Sequence, residues 1–347
     1  MAALDDDELA ALAIERMVFH IVGPKPEHFQ RLEEITPGPF AGFFLDRIRS
    51  ASRGNAYRFA EHAQTKSRLL SVLVNRARFQ EESEGLADDF QRAHGGQTAP
   101  GAFLVFLLAA KDRRAFALLK YDDDTVLTYD LEEGQEGRKR ATLASLQRNF
   151  VKNPSALQKA ALITLDPEPG FLSVLDHRNG TKVARYFETF LGAKREFTDE
   201  ELTRRIYQAA VDTILENESL VEPDVYREVR RRAYNAAAAG GAVESQSNKS
   251  FLEAVLGRSV DEEDDLATKF RHKLRSQRIE NESFRLAPNA VSRPRQRRIE
   301  TVAGVRIQFA EELQDLVEVN AAEGRIVIND RIRRDDVDSE PNSRTRR

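Results

Sequence analysis

The sequence predicts an α+β fold, with an N-terminal mixed or antiparallel sheet and helices, then a helical region and a small C-terminal β element. Three observations predict it. Runs of β-branched and aromatic residues separated by turn residues dominate up to about residue 180. Apolar residues at helical spacing dominate from there to about residue 278, and two short apolar segments lie near the end. The 347 residues exceed the roughly 250–300 at which a single core stops growing, so we expect several folding units.

The N-terminal elements follow from hydrophobic periodicity and from turn residues. Residues 14–22 mix β-branched and aromatic side chains and stop at Gly23-Pro24, which predicts a strand. Apolar residues at helical spacing in residues 40–52 predict a short amphipathic helix. The same spacing continues over residues 65–94, which predicts a helix that ends at Gly95-Gly96.

From Gly101 onwards the pattern is typical of strands. Three apolar runs, the last at residues 124–131, are joined by short polar turns and predict an antiparallel meander. Residues 160–166 and 170–177 flank Pro167 and Pro169, which predicts a further hairpin in the same sheet.

The second half of the chain is predicted to be mainly helical. Its helical segments are separated at Glu222-Pro223, Gly240-Gly241 and Gly257, and residues 299–309 and 316–328 resemble short strands. We therefore expect four parts: an N-terminal α+β domain (1–195), a helical region (196–290), a basic linker with a small β element (291–332) and a disordered tail (333–347).

Composition excludes several classes of protein. The chain has no cysteine, which removes disulfides, thiolate metal sites and cysteine nucleophiles and fits a cytoplasmic protein. The N-terminus is acidic where a secretory signal is basic, and the most apolar run, residues 102–110, is far shorter than the roughly 20 residues that span a bilayer. We therefore expect neither export nor a membrane segment.

No common catalytic motif is present in the sequence. The six histidines lie far apart without metal-ligand spacing, and the Walker A, GxGxxG and GxSxG patterns are absent. The sequence therefore predicts no cofactor, no metal and no enzymatic activity.

Residues 171–193, FLSVLDHRNGTKVARYFETFLGA, form the most distinctive segment. The first residues alternate like a strand, and Asn179-Gly180 predicts a turn. Thr181 is then a candidate N-cap for a helix that carries Val183, Phe187 and Phe190 on one face and ends at Gly192. The segment therefore predicts a strand, a basic turn and an amphipathic helix.

This segment resembles the bacterial nucleoid-associated protein family that includes NdpA and YejK. In that family a strand ending in Leu-x-x-Arg-x-Gly precedes Lys-Val-Ala, paired aromatics and Phe-Leu-Gly-Ala. The matching residues here are Leu175, Arg178, Gly180, Lys182, Val183, Ala184, Phe187, Phe190, Leu191, Gly192 and Ala193. The resemblance implies a protein of the bacterial chromosome that binds double-stranded DNA and has no established catalytic activity, located in the cytoplasm at the nucleoid.

A net charge of −4 suits DNA binding only if the basic residues are segregated. The basic residues are segregated, because residues 266–306 contain 11 Lys and Arg residues and only 3 acidic residues. The candidate DNA-binding residues fall into three groups. They are Lys269, Arg271, Lys273, Arg275 and Arg278 on a helix; Arg293, Arg295, Arg297 and Arg298 in an extended linker; and Arg178, Lys182 and Arg185 around the turn of the motif.

A plainer explanation exists for each group. The helix bases pair with the preceding acidic run at residues 261–265, the linker is basic only for solubility, and the motif bases are solvated. A further group at residues 227–232 is interleaved with acids, which favours ion pairing on the helix surface.

Two other functions remain open at the level of sequence. Asp112 and Asp122 to Asp124 flank strands near Lys111 and Lys120, as the carboxylates of a metal-dependent nuclease do. Alternatively, the acidic segments 4–9 and 261–265 suit a protein-interaction adaptor in chromosome maintenance or phage defence, with protein partners that act on the chromosome. The sequence also permits a homodimer.

Overall fold

A computed structural model describes residues 4–94, 96, 99–122, 131–133, 139–141, 157–320, 323–333 and 335. Tertiary contacts divide the chain into two units, Met1–Val291 and Ser292–Arg347. The predicted α+β class is confirmed. The boundary at about residue 195, between the N-terminal α+β domain and the helical region, stays a prediction.

Helices and strands of the described residues are numbered here in chain order. The α-helices are α1 (Asp6–Ala10), α2 (Ala41–Ala51), α3 (Gln64–Val74), α4 (Phe79–Ala93), α5 (Arg185–Leu191), α6 (Asp199–Leu215), α7 (Pro223–Ala238), α8 (Lys249–Leu256) and α9 (Asp265–Ser276). The strands are β1 (Ala13–Val22), β2 (Asn55–Phe59), β3 (Gly101–Ala110), β4 (Arg113–Asp122), β5 (Leu131–Glu133), β6 (Lys139–Ala141), β7 (Leu157–Thr164), β8 (Phe171–Asp176), β9 (Ala193–Arg195), β10 (Ala242–Val243), β11 (Phe284–Arg285), β12 (Gln296–Glu300), β13 (Arg306–Ala310), β14 (Val317–Asn320) and β15 (Arg325–Ile328).

Seven strands of the first unit form one antiparallel sheet in the order β1-β3-β4-β7-β8-β2-β9. Along β3, Leu104 and Phe106 enter one core while Phe103 and Val105 enter the other. Burial on both faces explains why β3 is a continuous apolar run and does not alternate with polar residues. The predicted strand at residues 14–22 and the hairpin β7–β8 are confirmed. The run at 124–131 lies outside the described residues except for Leu131, which begins β5.

Helices cover both faces of the sheet. On one face α2 inserts Phe44 and Ile48, as its periodicity predicts. On the other face α4 inserts Leu86 and Phe90. The sheet is thus the middle layer between two helical layers, and each layer buries its own apolar stripe against it.

The single helix predicted over residues 65–94 is wrong, because the chain breaks it into α3 and α4. Asn75 has extended backbone angles, φ −141° and ψ 102°, and its side-chain oxygen accepts a hydrogen bond from the Ala77 amide. Asparagine favours such local caps over a helix interior. The cap begins a 3-10 turn at Arg76–Arg78, from which α4 starts.

His20 is a fully buried polar residue on β1. Its Nδ1 accepts a hydrogen bond from the Leu32 amide at 3.2 Å, and its Nε2 lies 3.3 Å from the Ser83 hydroxyl. Burial, with a smaller contribution from the charge of Arg31, lowers the pKa of the imidazole to about 3. The folded protein therefore holds a neutral His20 at physiological pH.

This burial makes stability depend on pH. The unfolded chain takes up a proton near pH 6.5, whereas the folded imidazole takes one up only near its pKa of about 3. His20 therefore makes its full contribution to the free energy of unfolding above pH 6.5, and this contribution is lost as the pH falls towards 3. The free energy of unfolding should fall by up to about 1.4 kcal/mol per pH unit in this range. Urea denaturation of the wild type and of His20→Asn measures the difference, and identical pH slopes would contradict it.

Helices α6 to α9 pack around a third core, which includes Ile206, Leu252 and Phe270. The predicted breaks between helical segments at Glu222-Pro223, Gly240-Gly241 and Gly257 are confirmed. Pro223 begins α7, which ends at Ala238, and α8 ends at Leu256. The side chain of Glu282 joins this region to the sheet, since it accepts a hydrogen bond from the Ala56 amide of β2 at 2.7 Å and pairs with Arg195. Burial raises the pKa of the Glu282 carboxyl, and the charge of Arg195 opposes that rise.

The second unit contains two β-hairpins. Strands β12 and β13 pair from Gln296↔Ala310 to Glu300↔Arg306, and β14 pairs with β15. The predicted extended linker at residues 293–298 is therefore wrong for its second half, because residues 296–298 belong to a paired strand. Most of the predicted tail, residues 336–347, lies outside the described residues. No helix in the described ranges is long and apolar enough to cross a membrane.

Candidate nucleic-acid interface

Helix α9 carries four of the five residues in the first group of predicted DNA-binding residues, whereas Arg278, predicted on the same helix, lies just beyond its end. The side chain of Asp264 caps its start by accepting a hydrogen bond from the Leu266 amide at 2.8 Å. Leu266, Phe270 and Leu274 fix the buried face. The basic residues therefore lie on the faces of α9 that remain accessible to solvent.

Each base of this group contacts an acceptor within the chain. Their partners, in chain order, are the Asn217 amide oxygen for Lys269, Glu262 for Arg271, Glu216 for Lys273, Glu280 for Arg275 and Glu196 for Arg278. Only Glu262 belongs to the acidic run before the helix. Asn217, Glu216 and Glu196 lie far from α9 in sequence, so these contacts are tertiary, whereas Glu280 follows Arg275 by only five residues. The carboxylates of Glu262 and Glu216 are exposed, and ion pairs at such positions contribute about 0–1 kcal/mol, so a phosphate can replace these two carboxylates. The Glu196 side chain, in contrast, is only 9 % exposed.

Position gives these bases a structural role as well. Lys273 and Arg275 lie in the last turn of α9, where positive charge complements the negative end of the helix dipole. Arg278 follows the helix with a φ of 64°, in the left-handed region that favours glycine. Its guanidinium lies over the Phe197 ring, 5.7 Å from the centroid. Arg278 thus closes α9 and packs against Phe197, a residue of the third core.

Arg275 and Arg278 also line a cavity of about 320 Å³ between the edge of the sheet and the helical region. Three carboxylates line the same cavity: Glu196, Glu280 and Glu282. The ion pairs of Arg275 with Glu280 and of Arg278 with Glu196 therefore line this cavity.

The second group of predicted DNA-binding residues lies in the second unit and is freer to bind phosphates than the first group. Arg293 and Arg295 are exposed, and no hydrogen bond or ion pair links their side chains to any part of the chain that the structure describes. Arg297 lies over the Phe309 ring at 6.0 Å, and Arg298 donates to the Gln308 side chain at 3.4 Å. None of these contacts involves a carboxylate, so this group keeps its full positive charge.

The third group surrounds a turn that a buried aspartate organises. The Asp176 carboxylate accepts hydrogen bonds from the Arg178 amide at 3.1 Å, from the Asn179 side chain at 2.8 Å and from the Ala184 amide at 2.8 Å. It also pairs with Lys159 at 3.0 Å, and the two side chains are 0 % and 4 % exposed respectively. Asp176 therefore holds the turn from residue 176 to residue 184 in one conformation.

This network corrects the predicted start of the helix. Thr181 lies in the turn, and α5 begins at Arg185 with Ala184 as its extended N-cap residue. Lys182 and Val183 therefore precede the helix, although Val183 is still buried. The helix starts late because the Asp176 side chain binds the Ala184 amide, which is a contact across the turn.

The aromatic residues of the motif belong to the core, whereas its basic residues lie on the surface. Phe190 contacts Phe90 edge-on, with 5.2 Å between the ring centroids, and Phe187 is fully buried. Arg178, Lys182 and Arg185 are exposed. In the described part of the chain, no hydrogen bond or ion pair holds the side chain of Lys182 or Arg185.

Gly192 ends α5 as predicted, with a φ of 62°, and a Cβ atom there would lie 2.8 Å from the Cβ of Ala63. Gly180 has a similar φ of 58°, but nothing lies within 4 Å of its added Cβ. Gly180→Ala should therefore lower the free energy of unfolding by about 1–2 kcal/mol through backbone strain alone. Gly192→Ala should lower it by about 1–3 kcal/mol more through overpacking. Urea denaturation compares them, and equal losses would refute the packing argument.

The fourth basic group, which the sequence assigns to ion pairing, is paired as expected. Arg227 bonds to Asp224, and Arg231 and Arg232 both reach Glu228. Arg227 and Arg231 serve below, together with Arg230 of α7 and Arg204 of α6, as a comparison set of four positive charges outside α9.

Asp112 and Asp122, the two acids of the candidate nuclease site that belong to the described residues, lie at opposite ends of β4. Asp112 lies in the turn before this strand and Asp122 is its last residue, so about 33 Å of strand separates them. Lys120 is buried and donates to the backbone carbonyl of Tyr121 at 2.9 Å. Asp123 and Asp124 lie outside the described residues. Among the described residues, no group of three or more His, Asp or Glu side chains is placed to hold a metal ion.

The N-terminal acids that suggest an adaptor are engaged with basic residues of the chain itself. Asp7 pairs with Lys111 at 2.9 Å, and this contact lowers the pKa of the Asp7 carboxyl. Glu8 pairs with Arg113 at 3.1 Å. These contacts fasten α1 to the turn between β3 and β4, which gives the acidic segment a structural role.

Comparison with known proteins agrees with the resemblance of residues 171–193 and extends it. The family model described as nucleoid-associated protein YejK matches residues 18–335, which includes the sheet, the helical region and both C-terminal hairpins. No curated protein matches the chain. Because the match covers most of the chain, the protein belongs to the YejK family of nucleoid-associated proteins.

Proposed function

We propose that this protein binds double-stranded DNA in the bacterial cytoplasm, mainly through the phosphate backbone, and that it catalyses no reaction. The observation that carries the proposal is the group Arg293, Arg295, Arg297 and Arg298. It places four positive charges within six residues without a carboxylate partner in the described part of the chain. Arginines in this arrangement bind phosphates readily, and phosphate neutralisation dominates non-specific affinity for DNA.

Helix α9 supports the proposal as a second contact surface. Arg271 and Lys273 are held by accessible carboxylates, and an accessible pair is weak enough for a DNA phosphate to replace the acid. The released carboxylates then lie near the DNA, which reduces the gain. We therefore expect α9 to contribute less per charge than residues 293–298.

The proposal of binding without sequence selection rests on the kinds of elements present. The chain has no zinc-finger spacing and no basic-zipper heptads, and α9 is fixed with its apolar face in the third core. The exposed basic residues of the motif, Lys182 and Arg185, add a third contact to phosphates.

Fluorescence anisotropy with a random-sequence duplex at low salt tests the proposal. The wild type should bind, and Lys269→Gln/Arg271→Gln/Lys273→Gln/Arg275→Gln should bind more weakly. The matched control is Arg204→Gln/Arg227→Gln/Arg230→Gln/Arg231→Gln, which removes the same charge from α6 and α7. It should bind like the wild type.

Three outcomes would overturn parts of the proposal. A wild-type protein that binds no duplex at low salt but retains a protein partner would favour the adaptor function. Equal losses in the α9 variant and the control would remove α9 from the interface. Cleavage of supercoiled plasmid that depends on a divalent metal and is lost in Asp122→Ala would contradict the absence of catalysis.

A further inference from the structure

The hairpin of β12 and β13 is a two-stranded ribbon with a well-defined turn. Beyond the last strand pair, the Thr301 amide donates to the Val305 carbonyl and the Gly304 amide donates to the Thr301 carbonyl, both at 2.9 Å. Gly304 has a φ of 87°. A type I turn followed by a left-handed glycine matches the twist of the two strands, so the tip is a compact loop of Val302, Ala303 and Gly304.

Charge is distributed unevenly along this ribbon. Arg293 and Arg295 precede β12 at the base, and Arg297 and Arg298 lie within this strand. At the other end Glu300 pairs with Arg306 at 3.1 Å, which balances the charge next to the tip. From residue 293 to residue 310 the chain thus carries five arginines and one glutamate, and Glu311 and Glu312 follow β13 at the base end.

The tip itself is apolar and exposed. Val302 is fully exposed, and Val305 at the closing position of the loop is 56 % exposed. No residue in the described ranges buries Val302. A partner that offers anionic groups along the ribbon and an apolar surface at its tip would complement both features.

We propose that the β12–β13 ribbon lies in the minor groove of DNA and inserts Val302 between two base pairs, which kinks the duplex. This inference rests on the proposed function and adds a geometry to it. The stacked bases supply the apolar surface, and phosphates on either side of the groove bind the arginines of residues 293–298. The minor groove of B-DNA is only about 6 Å wide, and two strands about 4.8 Å apart with side chains need more room. Binding of the ribbon therefore requires the widening that a wedge-induced kink produces.

Bending is measured by fluorescence resonance energy transfer between dyes at the two ends of a short random-sequence duplex. The wild-type chain should bend it by roughly 20–90°, the range of kinks that apolar wedges produce. Val302→Ser should still bind through the arginines but should lose the change in end-to-end distance. Val74→Ser is the matched control, because Val74 is 89 % exposed on α3, far along the chain from the ribbon, and this variant should bind and bend like the wild type.

The outcomes separate this inference from the proposed function. A wild type that binds without bending, or Val302→Ser that bends as the wild type does, overturns the wedge and leaves DNA binding intact. A wild type that binds no duplex overturns both. Loss of binding in both serine variants would mean that exposed valines act through folding, which also overturns the wedge.

Discussion

Asp176→Ala should lower the free energy of unfolding by about 3–5 kcal/mol, the loss expected when one partner of a buried ion pair is removed. The Lys159 ammonium is 4 % exposed, so the substitution leaves a buried charge without its carboxylate. The Ala184 amide and the Asn179 side chain lose an acceptor at the same time. Urea denaturation monitored by circular dichroism measures the loss.

A double variant separates the unpaired charge from the lost hydrogen bonds. Lys159→Met/Asp176→Leu removes both charges and keeps apolar volume, so it should be more stable than Asp176→Ala. The remaining difference in the free energy of unfolding between this double variant and the wild type then measures the contribution of the hydrogen bonds in the turn. A loss below about 1 kcal/mol in Asp176→Ala would be that of a surface pair and would contradict the buried network.

Replacing Arg293, Arg295, Arg297 and Arg298 by glutamine should make DNA binding much less sensitive to salt. Each arginine that neutralises a phosphate contributes about 0.9 to the slope of log affinity against log salt. The slope should therefore become shallower by about 3.6 when all four contact phosphates. Anisotropy titrations at several salt concentrations give both slopes.

The same titrations on Arg204→Gln/Arg227→Gln/Arg230→Gln/Arg231→Gln control for net charge. These arginines lie on α6 and α7, and three of them are on the helix whose charges are balanced by Asp224 and Glu228. The control should keep the wild-type slope. If both variants change the slope equally, total charge governs binding and the arginine group has no special role.

Much of the fold follows from local pattern. The strands β3, β4, β7 and β8 could be predicted because their β-branched and aromatic runs are separated by short turns. The break at Asn75 could not, because the helical spacing continues across it and the deciding cap is one side chain. The late start of α5 depends on Asp176, eight residues before the Ala184 amide that it binds.

The candidate site was predictable only as a set of basic residues. Lys273 pairs with Glu216, 57 residues away, and Arg278 with Glu196, 82 residues away. Such pairing depends on the tertiary packing of α6 and α9 and has no local signal. A local signal was present for the ribbon, because Gly304 lies between two alternating segments, which is a pattern typical of a hairpin turn. The prediction of one strand over residues 299–309 missed this turn and is wrong, because β12 and β13 are two paired strands. Arg297 and Arg298 belong to the first of them.

The central claim is that this acidic protein binds DNA through segregated positive charge. The most direct test is the affinity of the wild type for two duplexes of unrelated sequence over a range of salt concentrations. Both should give the same straight line, with a slope of about −3.6 or steeper if at least the four arginines at residues 293–298 contact phosphates. A slope near zero, or an affinity that depends strongly on sequence, would contradict the account.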